Sequence, residues 1–503
     1  MVWFDSVHYT ISAKTFLQTG HFWIPINEMM HPSGKSPGFS LFLAPLYFFF
    51  TDNLGTAVWV PFLSGLGSLF VFYLFAKKCG GRETALFAFL LLALSPLHIT
   101  YSKLIMPSII PLFLILAGSL LLIHSRKNSF LFFAGLLFGL SAITRYLTIA
   151  IFPATVAYLL LQITEPFRER LKKTAALGLG IAIPLAWLLW HQWSAFGSPW
   201  ITDYDYWNHF HPNIQKPFSL AYGFLVPPTS GGSPNILFNL VSATGAYIPY
   251  PNILTSRPDQ LLLALLLWSL AWIGFVHFYH INRPLFYFLL TAVAGYYFSH
   301  AFLFSQTAHF MLPVVPFVLL AAASGCHACM EKLSPRKTAL LYSFCLVGLV
   351  SFLPFAYSFS HPPFKPEQQE YLQMIRQNLP EHSVLISDYE AALFTEEVGQ
   401  KKKITLMAIS PVTVYADRQR YLKGQTLPPA IEAATKNLEK IGGWLAEKRP
   451  VYLALLNAAQ YQSELEKLAD NFILEPTTDS VKHFRLFRLQ PFSKNRALPS
   501  DFE

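Results

Sequence analysis

The sequence predicts a polytopic α-helical membrane protein that ends in a soluble α/β domain. Of its 503 residues, 53% are hydrophobic and only 13% are charged, whereas soluble globular proteins carry roughly 25% charged residues. Apolar runs long enough to cross a lipid bilayer as helices recur as far as residue 357. Beyond residue 365 charged residues become frequent and the apolar runs shorten. We therefore predict a transmembrane domain at 1–358 and a soluble domain at 359–503.

About ten apolar runs are predicted to be membrane-spanning helices. They lie at residues 57–76, 84–101, 107–124, 130–144, 146–164, 174–193, 259–280, 285–303, 310–324 and 338–357. Residues 38–50 are equally apolar but too short to span, so we expect an interfacial or re-entrant helix there. The segment 5–18 is expected to be a helix that precedes them.

The basic residues of the predicted transmembrane domain cluster in alternate loops. The clusters are Lys77, Lys78 and Arg82; Arg126 and Lys127; Arg168, Arg170, Lys172 and Lys173; Arg283; and Lys332, Arg336 and Lys337. Because cytoplasmic loops carry the excess of Lys and Arg, these loops are expected on the inside. Residues 1–56, 194–257 and everything after 358 then lie outside, which is the periplasm in a bacterium and the ER lumen in a eukaryote. Of these two we expect a bacterial inner membrane with the outer segments in the periplasm. The net charge of +9 reflects these loops, and we expect no nucleic-acid partner.

The predicted soluble domain alternates apolar strand patterns with helical ones. Strands are expected at 384–388, 404–409 and 451–456, and helices at 430–448 and 458–470. No glycine-rich phosphate loop follows any of these strands, so nothing indicates nucleotide binding. We interpret this domain as an accessory or packing domain.

Cysteine spacing gives little support for a metal site. None of the four cysteines lies beyond Cys345, so the soluble domain has no disulfides. Cys326 and Cys329 form a single CxxC motif, but zinc requires two further ligands and no second pair follows. We interpret the motif as small residues near a helix end.

In the predicted transmembrane domain, ionisable residues are sparse on the outer side and lie near the ends of spans. They include Asp5, Lys14, Glu28, His31, Lys35, Lys103, Arg145, His300 and His309. Such groups are costly in a membrane unless they reach its surface or serve a function, which makes each a candidate site residue. Arg145 interrupts an otherwise apolar stretch between two predicted spans. The alternative to a functional role is a purely structural one, in which Arg145 lies at a tight helical turn and extends its charged group to the membrane surface.

Several short motifs follow one another along the chain in an order that is also found in a known protein family. They are Asp5 with Tyr9 four residues later, Gly20, Lys35-Ser36-Pro37, Ser95-Pro96 with Tyr101-Ser102-Lys103, Gly135 and Gly139 before Thr144-Arg145, and the segment His309 to Pro316. In this order they resemble the GT-C glycosyltransferases, in particular the protein O-mannosyltransferase-like and aminoarabinose (lipid A) transferase-like members. The family also has a transmembrane helix before its catalytic Asp. The resemblance therefore implies a missing first span, and we expect the natural chain to begin upstream of Met1.

The resemblance implies transfer of a sugar from a polyprenyl-phosphate donor, on the outer face and with inversion of the anomeric centre. Asp5 would be the general base that removes the acceptor hydroxyl proton, and Tyr9 would orient Asp5 or the sugar. Lys35 would bind the donor phosphate and stabilise charge on the departing oxygen.

Further residues follow from the same resemblance. Lys103 and Arg145 would add to the phosphate site, and His309, which stands where the family has an arginine, would contact substrate. The chemistry requires no cofactor, and a divalent metal, common in the superfamily, stays open. Partners would be the lipid-linked sugar, membrane lipids, and an acceptor that is a glycan, a lipid or a protein.

Three alternatives share the membrane architecture. The first is a non-enzymatic transporter or flippase-like protein for lipid-linked intermediates, which usually shows internal repeats and helices broken at mid-membrane. We find no such repeat, and ionisable residues at the outer ends of spans favour chemistry at the surface. The second is a polymerase or ligase of surface polysaccharide. The third is an inactive relative, since Ser6 stands where a second acidic residue is usual.

Overall fold

The structure, a computed structural model, describes most of the chain. The described residues are 4–26, 29–33, 35–50, 54–124, 127–163, 165–209, 224, 235–246, 258–303, 307–330, 343, 347, 350, 366–387, 403–408, 430–455, 462–477 and 486–491. Two compact units are present, each discontinuous in sequence. The first unit comprises Met1, Ser36–His191 and Gln215–His361, and the second comprises Val2–Lys35, Gln192–Ile214 and Pro362–Glu503. The predicted domain boundary at 358/359 lies outside the described residues.

Helices dominate the described chain. In chain order they are α1 (Phe4–Thr19), α2 (Pro37–Phe49), α3 (Trp59–Ala93), α4 (Pro96–Tyr101), α5 (Ile109–His124), α6 (Asn128–Thr144), α7 (Phe152–Leu160), α8 (Phe167–Phe196), α9 (Asp203–His209), α10 (Asn235–Ser242), α11 (Pro258–Ile281), α12 (Arg283–Ala301), α13 (Val315–Met330), α14 (Pro366–Asn378), α15 (Ala430–Ala446) and α16 (Gln462–Asn471). Short 3₁₀ turns occupy Leu54–Val58, Tyr146–Ile151 and Ala308–Met311.

Strands are confined to the second unit. They are β1 (Trp23–Ile26), β2 (Met29–Pro32), β3 (Val384–Ser387), β4 (Thr405–Ala408), β5 (Val451–Leu453), β6 (Phe472–Pro476) and β7 (Phe487–Pro491). The predicted fold class, a helical membrane protein with a C-terminal α/β region, is confirmed. Among the described residues, three helical stretches are long and apolar enough to cross a membrane, namely Gly55–Ala93, Phe167–Phe196 and Gln260–Ile281. The number of spans stays a prediction.

Two predicted spans differ from the observed helices. The predicted span 84–101 is interrupted, because α3 ends at Ala93 and α4 starts only at Pro96. Proline disfavours a helical conformation in the residue before it, and Ser95 is extended, with ψ of 118°. The predicted span 146–164 opens as a 3₁₀ turn and continues as the short helix α7. The predicted span 338–357 and Cys345 fall outside the described elements.

The first basic loop is a kink within α3. Gly81 has φ of +83° and ψ of −179°, and regular helix runs on either side of it. Residues with a Cβ rarely adopt this positive φ, so glycine permits the chain to turn here. The kink separates the two apolar halves that the sequence predicts as neighbouring helices.

Glycines bring α6 and α8 into backbone contact. A Cβ at Gly135 would lie 2.0 Å from the Leu177 carbonyl oxygen, and one at Gly180 would lie 2.0 Å from the Phe132 carbonyl oxygen. Membrane helices associate closely where small residues allow their backbones to approach. The Gly135 and Gly139 spacing is thus a helix-packing feature that fixes α6, whose last residue precedes Arg145.

The start of α2 is attached to the end of α6. Ser36 Oγ donates a hydrogen bond to the Thr144 carbonyl oxygen at 2.7 Å, and a Cβ at Gly38 would lie 2.5 Å from the Ile143 carbonyl oxygen. Since the last carbonyl groups of a helix lack partners within it, the serine satisfies one of them. Ser36 and Thr144 are the chain neighbours of Lys35 and Arg145.

The short helix α4 is held at both of its ends. Ser95 Oγ accepts from the His98 backbone N–H at 3.3 Å and donates to the Gly245 carbonyl oxygen at 2.9 Å. His98 Nε2 lies 2.9 Å from Ser68 Oγ on α3. At the far end Ser102 Oγ donates to the His98 carbonyl oxygen at 2.7 Å. These bonds compensate for the low intrinsic stability of a single-turn helix.

The C-terminal sheet has the strand order β4-β3-β5-β7-β6. Strands β3, β4 and β5 are parallel, and β7 and β6 add antiparallel pairs. Its apolar core includes Val384, Ile386, Met407, Trp444 and Leu453. The three predicted strands are confirmed as β3, β4 and β5, and the two predicted helices as α15 and α16. Strands β6 and β7 were not predicted, because their half-buried patterns contain charged and polar residues.

We expect the close approach of α6 and α8 to make Gly135 intolerant of any side chain. Gly135→Ala should lower the free energy of unfolding by about 1–3 kcal/mol, because the added methyl group meets a backbone oxygen that cannot move independently. Chemical unfolding in detergent micelles measures this. Gly178 on α8 has nothing within 4 Å of its Cβ position, so Gly178→Ala is the matched control and should be neutral or stabilising. Equal tolerance at both positions would contradict the packing.

We also expect Ser95→Ala to destabilise the first unit by about 1–2 kcal/mol, since it removes the cap of α4 and leaves the Gly245 carbonyl with the Leu97 N–H as its remaining donor in the described chain. The same unfolding measurement tests it. Ser269→Ala, which removes an exposed hydroxyl from α11, serves as the control and should change stability by less than about 0.5 kcal/mol. A Ser95→Ala effect no larger than that of the control contradicts the capping role.

Candidate functional site

Arg145 stands at a break between two helical segments. It follows α6, has extended dihedrals of φ −151° and ψ 107°, and precedes the 3₁₀ turn at 146–151. Its N–H donates to the Ser141 carbonyl oxygen at 2.9 Å, and its carbonyl oxygen accepts from both the N–H and the hydroxyl of Thr148. The backbone is therefore fully bonded, and the extended residue turns its side chain away from the α6 axis.

The Arg145 guanidinium is surrounded by neutral groups. Nη1 donates to Ser108 Oγ and to the His309 carbonyl oxygen, each at 3.4 Å, and the group lies 4.4 Å from the centre of the Phe310 ring. No carboxylate pairs with it among the residues that the structure describes. Both hydrogen bonds are long, since typical distances are 2.7–3.2 Å. The half-buried cation thus keeps donor capacity for an anion.

His309 is held by Tyr101. The Tyr101 hydroxyl lies 3.0 Å from His309 Nδ1, and the two ring centres are 4.9 Å apart. Tyr101 is only 4% exposed and ends the helix α4, while His309 lies in the 3₁₀ turn 308–311. The contact joins these two elements and so positions the carbonyl group that receives the Arg145 bond.

Lys103 lies just after α4, in the bend that leads to α5. Its side chain is half-buried, and its ammonium group has no hydrogen-bond or ion-pair partner within the described part of the chain. A lysine in this condition keeps all three of its donors available.

The remaining predicted site residues belong to the second unit. Asp5 and Tyr9 lie one turn apart on α1, as predicted. Tyr9 is buried, with 2% exposure, whereas the Asp5 side chain lies outside the described atoms. The Lys35 ammonium is half-buried and lies 5.9 Å from the centre of the Tyr204 ring of α9. Glu28 is outside the described residues.

Within the first unit the structure therefore brings together two of the predicted residues, Arg145 and His309. Sequence reasoning did not assign roles to Tyr101, Ser108 and Phe310, although Tyr101 and Phe310 belong to motifs that it noted. The motif order placed these segments in the chain but contained no information on which of them touch.

No three His, Cys, Asp or Glu side chains of the described chain come close enough to hold a metal ion. Cys79, Cys326 and Cys329 form no disulfide bond within the described chain, and the last two lie on α13 near its end. The expectation that the chemistry requires no cofactor stays a prediction.

Comparison with known proteins gives a family for part of the chain. Residues 31–190 match the family model described as dolichyl-phosphate-mannose-protein mannosyltransferase. This region contains Lys35, Lys103 and Arg145, while Asp5 and His309 lie outside it. No curated protein sequence matches the chain.

Solved structures match nearly the whole chain. ArnT from Cupriavidus metallidurans bound to undecaprenyl phosphate has a TM-score of 0.64 at 12% identity, and the match covers 96% of this chain and 93% of that one. The same protein in the apo state gives 0.63 at 12% identity, with the same coverage. The oligosaccharyltransferase AglB from Archaeoglobus fulgidus, in complex with an inhibitory peptide and a dolichol-phosphate, gives 0.56 at 11% identity, covering 98% and 71%. The predicted resemblance is confirmed, and the chain has the fold of the mannosyltransferase-like and ArnT-like GT-C proteins.

Proposed function

We propose that this protein is a membrane glycosyltransferase that moves a sugar from a polyprenyl-phosphate donor to an acceptor hydroxyl. The Arg145 cation, which pairs with no carboxylate of the described residues, is the observation on which the proposal depends. Two of the similar structures contain lipid phosphates, undecaprenyl phosphate in ArnT and dolichol-phosphate in AglB. The matched family model names a mannose donor carried on dolichyl phosphate. These similarities support a lipid-linked donor here.

Arg145 suits the phosphate of such a donor. A guanidinium presents several N–H donors in a planar fork that matches phosphate oxygens. An arginine paired with a carboxylate would have to release that partner first, whereas the side-chain hydrogen bonds of Arg145 within the described chain are long bonds to neutral oxygens. The ring of Phe310 holds its flat face and leaves the edge donors for the ligand. Lys103, which is half-buried and unpaired within the described chain, is assigned to the same phosphate.

The remaining roles follow the motif order. Asp5 acts as general base and takes the proton of the acceptor hydroxyl, whose oxygen then forms a bond to the anomeric carbon. The bond from that carbon to the phosphate oxygen breaks, and polyprenyl phosphate leaves with the electron pair. Lys35 stabilises the charge on the departing oxygen. Attack opposite to the leaving group inverts the anomeric centre.

Two further residues are assigned to substrate binding. Tyr9 orients Asp5 or the sugar. His309, fixed by Tyr101, supplies the carbonyl group that directs Arg145 and contributes its imidazole to the substrate.

The reaction needs no cofactor, and a divalent metal could assist by neutralising the phosphate. The protein is assigned to a bacterial inner membrane, with the active site and the C-terminal α/β region in the periplasm. The acceptor is a glycan, a lipid or a protein.

The general-base role predicts a large loss of turnover in Asp5→Asn. With a panel of polyprenyl-phosphate sugars, release of free polyprenyl phosphate should fall by about 10²- to 10⁴-fold, because the amide cannot take the proton. Asp470→Asn, a change on an exposed residue of α16, is the matched control and should keep full activity. Turnover that survives in Asp5→Asn would move the base elsewhere. No release with any donor from folded protein would reject the transferase.

The phosphate role of Arg145 predicts a separate effect on binding. Arg145→Gln should weaken the binding of farnesyl phosphate by about 10- to 100-fold, the range expected when a charge-assisted hydrogen bond is lost. Isothermal titration in detergent measures this without turnover. Arg168→Gln, a change on an exposed arginine of α8, should leave the affinity unchanged. Equal affinities of wild type and Arg145→Gln would refute the assignment.

A further inference from the structure

Buried polar atoms without partners collect at the end of α12. His300 is 2% exposed and Tyr296, one turn before it, is fully buried. Within the described part of the chain, neither the Nε2 atom of His300 nor the hydroxyl of Tyr296 has a hydrogen-bond partner. Such atoms are rare, because each costs about 1–3 kcal/mol when buried and unbonded. Two of them one helical turn apart need an explanation.

The neighbouring elements contain three more buried polar atoms without a hydrogen-bond partner in the described chain. Asn235 and Asn239 lie one turn apart on α10, where Oδ1 of the first and Nδ2 of the second are buried and unbonded. The hydroxyl of Thr307, which starts the 3₁₀ turn 308–311, is in the same state. Helix α10 packs against both α12 and that turn, and α12 packs against the turn as well. All five atoms therefore belong to one group of packed elements.

The hydrogen bonds already made determine what the free atoms can do. His300 Nδ1 lies 2.9 Å from the Tyr296 carbonyl oxygen, which can only accept, so the neutral ring carries its proton on Nδ1 and Nε2 is an acceptor. Asn235 Nδ2 donates to the Leu303 carbonyl oxygen, which leaves Oδ1 as an acceptor. Asn239 Nδ2 is a donor, and the Tyr296 and Thr307 hydroxyls can do both.

This set adjoins the Arg145 site through Phe310. The ring centre of His300 is 5.7 Å from that of Phe310, and the Arg145 guanidinium lies 4.4 Å from the same ring centre. The charge of Arg145 also acts on both His300 and Tyr296. His300 therefore contacts the same Phe310 ring as the cation that we assign to the donor phosphate.

We propose that His300, Tyr296, Asn235, Asn239 and Thr307 form a subsite for the hydroxyl groups of a neutral sugar attached to the donor phosphate. This inference rests on the proposed function. A phosphate alone only accepts hydrogen bonds and cannot satisfy His300 Nε2 or Asn235 Oδ1. A sugar hydroxyl both donates and accepts, so several hydroxyls can satisfy this mixed set. The subsite selects sugars that keep free hydroxyls where the acceptor atoms lie.

Tyr296→Phe separates a ligand role from a structural one. It removes only the unbonded hydroxyl and keeps the ring contact with His300, whose ring centre is 4.2 Å away. If the hydroxyl serves a ligand, the empty protein should keep or gain thermal stability, because an unsatisfied group is removed. If it instead holds a buried structural water, the variant should be less stable than wild type.

The binding test compares farnesyl phosphate with farnesyl phosphate linked to mannose, glucose or arabinose, by titration on the full chain in detergent. Wild type should bind one linked sugar more tightly than the bare phosphate. Tyr296→Phe and Asn239→Leu should each reduce that gain by about 3- to 10-fold and leave the affinity for the bare phosphate unchanged. His300→Gln, which retains an acceptor, should lose less than His300→Phe. His280→Gln, at an exposed histidine that ends α11, is the control.

The outcomes separate the two proposals. If wild type does not bind farnesyl phosphate, the proposed function fails. If it binds farnesyl phosphate but gains nothing from any linked sugar, or if the gain persists in Tyr296→Phe and Asn239→Leu, the subsite fails while the proposed function stands. A loss of affinity of the same size for the bare phosphate and for the linked sugar also overturns the subsite, because it would show that these residues only position Arg145.

Discussion

The hydrogen bond from Ser36 to Thr144 is the constraint on which the candidate site depends. A helix that ends in an apolar environment leaves carbonyl groups that water cannot satisfy. At the end of α6 one such group is bonded by Ser36 at 2.7 Å and another by the Arg145 N–H. These bonds let the helix stop where it does, and they give Arg145 the extended conformation that directs its side chain to Ser108 and His309. Without the break, Arg145 would continue α6.

Some basic side chains of the described chain are paired with carboxylates, whereas Arg145 is surrounded by neutral groups. Lys173 forms a close ion pair with Glu165, and both side chains are largely buried at 12% and 13% exposure. Lys172 likewise pairs with Glu169, at the surface. Both pairs tie α8 to itself or to the turn before it, so their charges are neutralised within the fold. Arg145, in contrast, is given hydroxyl, carbonyl and aromatic neighbours, which orient a charge without cancelling it. The paired lysines therefore have a structural role, whereas Arg145 can bind an anionic ligand.

The sequence was sufficient for the helical architecture, and much less so for the site. Hydropathy located most helices because the membrane imposes a length and an apolar composition on each of them. It missed the interruption at Ser95-Pro96, since an apolar profile does not distinguish one long helix from a helix, a cap and a second short helix. Arg145 could be singled out because it is a lone charge in an apolar run. Tyr296 and His300 are spaced by four on one helix, as are Asn235 and Asn239, so a polar helical face was visible in principle. The packing of α10 on α12 could not be predicted from the sequence, because that contact joins segments far apart in the chain.

The division of the chain into interleaved units has a consequence for biosynthesis. The second unit contains Val2–Lys35 together with Pro362–Glu503, and β1 contacts β4 within it. When α1 and the β1–β2 hairpin emerge from the ribosome, their partners in the α/β region have not been made. At usual elongation rates the interval is on the order of 20–70 s. During that time the N-terminal segment must stay unaggregated while the membrane helices insert, so its folding is completed only after the α/β region has been synthesised. The N-terminal region that carries the proposed base therefore completes its folding only with the α/β region, and the proposed activity depends on that region.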